Sequence, residues 1–179
     1  MTCIVGLVHE NKVYMAGDSA GVSGLNITVR NDEKVFRKGE FIFGFTTSFR
    51  MGQLLRYKLE IPYHKPDQDI YEYMVTDFVE AVRTCLKEGG FARNDNGEEW
   101  AGQFMVGYRG RLFVIESDYQ VGMPQLPYHA LGCGEEYAKG SLYSLQIMND
   151  PEGALLKALG AAQTFSAGVR DPFICVRTD

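Results

Sequence analysis

A chain of 179 residues, 45% of them apolar, has enough material for one domain with a real core and too much apolar content for disorder. Its net charge of −5 and pI near 5.3 argue against a nucleic-acid surface. No apolar run is long enough to span a membrane. The short N-terminal apolar stretch has no basic flank and is followed by Glu10 and Lys12, so it does not read as a secretory leader.

In chain order, residues 3–8 form an apolar run of strand length, 9–12 a polar turn, and 13–17 a second strand ending at Asp18. Residues 19–31 are rich in Gly, Ser and Asn and read as a loop. Strands follow at 34–37 and 41–45 around a turn at 38–40. A helix is expected over 48–59, ending near Pro62. A longer one runs over 69–88, where Ile70, Tyr73, Met74, Phe78, Ala81, Val82 and Cys85 recur at helical spacing. Asp67 or Asp69 caps it and Gly89-Gly90 ends it. Residues 93–99 are a polar, turn-rich loop. A hairpin over 103–108 and 111–117 turns at Arg109-Gly110. A short strand at 128–131 precedes helices at 135–147 and 151–165, and Pro151 suits a first helical position. Ala154, Leu155, Ala158, Leu159, Ala162 and Phe165 give the last helix an apolar stripe. A strand at 173–177 closes the chain. No linker or repeat divides it, so residues 1–179 read as one domain. Strand runs at both ends with helix pairs between them fit an α+β fold with helical layers covering stacked sheets.

The four cysteines, Cys3, Cys85, Cys133 and Cys175, show no paired spacing and read as reduced thiols in a cytoplasmic protein. His9, His64 and His129 have no metal-ligand spacing. Chemistry concentrates instead at strand ends. Thr2, Asp18 and Lys34 each start or end a strand, and neighbouring strands lie about 4.8 Å apart, so their side chains can meet on one sheet face. If Met1 is removed, Thr2 carries a hydroxyl and a free α-amine, whose ordinary pKa of roughly 7.7–8 suits a base near neutrality. A Lys34–Asp18 pair beside it supplies positive potential and orientation. Alone, each residue is bland: Thr follows Met often, Asp18 suits a turn, and Lys34 suits a solvated strand.

Thr2-Cys3-Ile4-Val5, Ala16-Gly17-Asp18-Ser19, Glu33-Lys34-Val35 and Leu131-Gly132-Cys133-Gly134 together resemble the proteasome β-subunit family, in its bacterial HslV-type branch. The resemblance implies a four-layer αββα sandwich of the N-terminal nucleophile hydrolase type, assembled into homo-oligomeric rings. It implies a threonine-type endopeptidase that cleaves unfolded polypeptide through an acyl-threonine intermediate, with Thr2 as nucleophile, Lys34 tuning it and Asp18 pairing with Lys34. It needs no metal or organic cofactor and implies an ATP-dependent unfoldase as partner.

This chain also departs from the family. The glycine-rich turn whose backbone N–H completes the oxyanion hole here reads Thr47, with Ser48 beside it. The serine of the Gly-x-Gly turn is replaced by Cys133, a weaker donor. The segment 163–168 lacks the acidic residue that proteasome β subunits place near the nucleophile. Val22, Phe45 and Met51 are apolar candidates for a substrate pocket. The departures support a second reading, a catalytically inactive ring or scaffold subunit, and retention of Met1 would favour it. A third makes Cys133 the nucleophile, with its thiolate favoured by a helix N-terminus; but His129 shares a strand face with Leu131, no orienting acid is evident, and a structural turn is the stronger interpretation.

Overall fold

The apolar runs become strands that pair with their sequence neighbours, and the computed structural model describes them over residues 1–145 and 150–179. Strands β1 (Cys3–His9) and β2 (Lys12–Gly17) form a hairpin, β3 (Ala20–Ser23) and β4 (Asn26–Val29) a second, and β5 (Val35–Lys38) and β6 (Phe41–Phe45) a third. Helix α1 (Phe49–Tyr57) follows, then α2 (Ile70–Tyr73), a π-helical turn (Met74–Phe78) and α3 (Val79–Glu88). A small hairpin, β7 (Arg93–Asp95) and β8 (Glu98–Trp100), leads into β9 (Phe104–Tyr108), β10 (Arg111–Ile115) and β11 (Val121–Gly122). The chain closes with β12 (Tyr128–Gly132), α4 (Glu135–Ser144), α5 (Pro151–Phe165) and β13 (Ile174–Arg177).

Two antiparallel sheets result, one ordered β12-β1-β2-β13 and the other β11-β10-β9-β6-β5. Ile4, Val13 and Met15 of the first meet Ile42, Met105 and Leu112 of the second between the sheets. Side chains alternate along a strand, so Cys3, Val5 and Leu7 point the other way, onto Leu155, Ala158 and Ala162 of α5. This explains the uninterrupted apolar run in β1: both of its faces are covered. The second sheet turns Phe41, Phe43 and Phe104 outward onto Leu54, Phe78, Val82 and Leu86 of the other helical layer. The order of layers is therefore αββα, the α+β sandwich expected from the sequence.

Several elements differ from the sequence reading. The expected loop at 19–31 contains the β3–β4 hairpin, and the polar loop at 93–99 contains most of β7–β8. The expected helix over 69–88 passes through a π-turn, which points both Met74 and Phe78 into the core. Asp69 is its cap, accepting from the N–H groups of Tyr71 and Glu72. Helix α4 ends at Ser144, and the expected extension over 146–147 lies outside the described residues. Among the described residues, no helix is long and apolar enough to cross a membrane.

Candidate functional site

Pairing of β1 with β2 sets Ile4 opposite Gly17, so Cys3 lies beside Asp18 at the open end of the hairpin. There Asp18 stops being a turn residue and becomes a hub. Its Oδ1 accepts from the Cys3 N–H at 2.9 Å and from Lys34 Nζ at 2.8 Å. Its Oδ2 accepts from the Ala20 N–H at 2.9 Å and the Arg170 N–H at 3.3 Å. Both charged side chains are almost fully buried, at 1% exposure for Lys34 and 0% for Asp18. Burial lowers the Lys34 pKa below the ordinary lysine range, and the Asp18 carboxylate partly offsets that. Burial, then the same carboxylate, drives the Cys3 thiol far upward, so Cys3 stays a neutral core residue.

In front of this pair lies a cavity of about 450 Å³ lined by Thr2, Lys34, Phe45, Thr46 and Thr47 on the body side and by Gly21, Val22 and Thr28 of the β3–β4 hairpin. Val22 and Phe45 thus line it as expected. Met51 does not: it lies on the buried face of α1, in the core under that helix. Thr47 sits at the turn before α1 with φ of +64°, a conformation that crowds a β-branched side chain. Its Oγ1 accepts from the Gln103 N–H at 3.3 Å and lies 3.2 Å from Thr46 Oγ1. Ser48 has a separate task, capping α1 by accepting from the Arg50 N–H at 3.1 Å.

Thr2 is buried at this cavity, but its bonding is not that of a free N-terminal nucleophile. Its nitrogen is the amide of the Met1–Thr2 peptide bond, and its Oγ1 donates to the Met1 carbonyl at 2.5 Å. Its N–H donates to Cys133 Sγ at 3.4 Å. Gly132 makes this approach possible. It has φ of +97°, and a Cβ there would overlap the Thr2 carbonyl oxygen. Ser166 Oγ donates to Cys133 Sγ at 3.3 Å, and a Cβ on Gly168 would strike Met1 and Cys133 Sγ. Cys133 is exposed beside Thr2, and among the described residues its polar contacts are Thr2 and Ser166, not His129. His129 is half-buried, with its pKa lowered by burial and then by Lys139, and no acid orients it toward Cys133.

All five sequence candidates therefore gather at one place: Thr2, Lys34 and Thr47 on the cavity, Asp18 behind Lys34, and Cys133 beside Thr2. The sequence reading missed the hairpin wall and Arg30 at its base. Ser23-Gly24 between two β-prone runs was the available turn signal. Among the described residues no group of His, Cys, Asp and Glu is arranged to hold a metal ion.

No family model matches the chain. A protein named proteasome subunit beta from Streptosporangium roseum is 30% identical over 178 residues, which cover 89% of this chain and 58% of that protein. The chain thus spans little more than half of that relative's length. BPH from Thiobacillus denitrificans superposes with a TM-score of 0.80 at 18% identity, covering 99% of this chain and 98% of its own. HslV from Trypanosoma brucei gives 0.69 at 19%, covering 98% of both chains. An Anbu Gly-1 mutant from Hyphomicrobium sp. strain MC1 gives 0.72 at 19%, covering 98% of this chain and 80% of that one. The chain therefore shares the α+β sandwich fold of these structures. That fold does not single out the HslV-type branch, because BPH and Anbu match at least as well.

The expectation of a threonine-type endopeptidase is corrected on two grounds. In this structure Thr2 does not present a free nucleophile, because its nitrogen is the amide of the Met1–Thr2 bond and its Oγ1 donates to the Met1 carbonyl. The fold likeness does not restore the activity, because the Anbu chain fits this one as closely as HslV does.

Proposed function

We propose that this chain is a catalytically inactive, proteasome-like subunit that serves as a ring or scaffold component. One observation carries the reading: with Met1 in place the Thr2 nitrogen is an amide, which cannot accept the proton of its own hydroxyl. The αL threonine at position 47 and the thiol at Cys133 add to it, since each departs from the family pattern. The name of the Streptosporangium relative, proteasome subunit beta, supports assembly. So do the exposed Tyr137, Tyr143, Leu156 and Phe165 on the α4–α5 layer, which present aromatic and aliphatic surface to a neighbour. In this role copies of the chain assemble in the cytoplasm, and an ATP-driven unfoldase is the class of partner that fits such a ring. A polypeptide reaching the cavity is held rather than cut.

Light scattering of the purified protein, paired with turnover of a fluorogenic peptide by the parent and by Thr2→Ala, tests both halves. The expected result is a mass well above one chain and equal background turnover. A stable monomer overturns the scaffold role, and turnover that depends on Thr2 overturns the inactive one.

A further inference from the structure

We infer that the β3–β4 hairpin is a hinged flap over the cavity and that Arg30 is the latch that holds it down. Among the described residues the hairpin pairs only with itself, as a separate two-stranded sheet. Its backbone ties to the body all lie at its base. The Ser19 N–H donates to the Arg170 carbonyl at 2.8 Å, while the Arg30 N–H closes the base of the hairpin itself on the Ser19 carbonyl at 2.9 Å. The Ala20 N–H donates to Asp18 Oδ2 at 2.9 Å. Beyond the base, all of β4 is exposed, and Leu25 at the tip is fully so. An isolated two-stranded ribbon with so few buried contacts is marginal in water and belongs to the segments that open most readily.

The hairpin nevertheless lies against the body: Ser19 Oγ donates to the Pro172 carbonyl at 2.6 Å at its base, and the Arg30 side chain seats it on α1. Arg30 runs across Gly21, where a Cβ would lie 2.7 Å from its Cδ. Its guanidinium carbon stacks 3.8 Å from the Phe49 ring centroid at the start of α1. Its Nε and Nη2 fork onto Asp32 at 2.7 and 2.6 Å. Gly21 thus clears the path, Phe49 supplies a flat seat on the body, and Asp32 fixes the plane of the guanidinium. Arg30 and Asp32 are both more than a third exposed, so this clasp is weak enough to be released and is screened by salt. Opening at the base lifts Gly21, Val22 and Thr28 away from Thr2, Lys34 and Thr47 and unroofs the cavity. The inference concerns access to the cavity and does not depend on whether Thr2 is chemically competent.

Amide hydrogen exchange on the intact protein tests it, comparing the parent with Arg30→Ala and Asp32→Asn. In Arg30→Ala, peptides covering 20–29 should exchange roughly tenfold faster, while those of β1 and β6 stay unchanged. Asp32→Asn should give a smaller acceleration confined to the same peptides. The parent moved from low to high salt should shift in the same direction with no mutation at all. Hairpin exchange that is indifferent to both variants and to salt overturns the latch. So does acceleration of the hairpin only in step with β1 and β6, because that reports general loosening.

Discussion

The back and the front of the cavity follow different rules. Behind it, Asp18 and Lys34 are buried, and Asp18 takes four hydrogen bonds from four separate residues. In front, Met1 is 57% exposed, Thr2 is bonded to its own neighbour, and Cys133 stands where a hydroxyl is usual in the family. The back wall joins β1, β2, the start of β5 and the segment before β13, so the fold needs it whether or not chemistry follows. The front wall has no such duty and is free to change.

The largest expected effect lies at the back. Asp18→Ala leaves Lys34 buried without its partner and three N–H groups without an acceptor, and should cost about 3–5 kcal/mol in urea denaturation. A loss below about 1 kcal/mol would erase the distinction between the two walls. Between the two walls, where β12 meets Thr2, Gly132→Ala should cost at least about 2 kcal/mol, because its φ of +97° and the Thr2 carbonyl both oppose a Cβ.

The pH dependence of Lys34 sharpens the comparison. Its folded pKa is lowered, so the folded state holds fewer protons than the unfolded state as the lysine titrates. The cost of burying the ammonium is fully present below the folded pKa. It is relieved as pH rises from there toward the ordinary lysine value of about 10.4. Relative to Lys34→Met, the parent should therefore gain stability across that alkaline window, seen as a rising difference in urea midpoint. A difference that is flat or falls contradicts the burial argument. The smallest effect belongs to the front. Gly168→Ala must push Met1 and Cys133 Sγ aside, but both residues are exposed, so the melting temperature should move little. A large drop would show that the front wall also carries the fold.

The sequence was most readable where polar residues interrupt apolar runs. Asp18 and Lys34 stand out at strand ends, and the unbroken apolar runs of β1 and β6 report sheets covered on both sides. The β3–β4 hairpin was hidden because Gly21, Ser23, Gly24 and Asn26 carry loop composition, while its pairing depends on a turn at Gly24. The conformation of Thr47 was not readable either, since Thr46-Thr47-Ser48 has no glycine to announce a positive φ. The seat of Met1 is made by Gly168 and Cys133, both remote in sequence, and only packing brings them together. The roles implied for the site residues came from family resemblance, and the bonding of Thr2 to Met1 is legible only in the structure.

The most direct test is the intact mass of the purified, untagged protein before and after incubation with an epoxyketone, which reacts with an N-terminal threonine through both its hydroxyl and its amine. The inactive reading expects an unchanged mass with Met1 in place. A stoichiometric adduct mapped to Thr2 would contradict it.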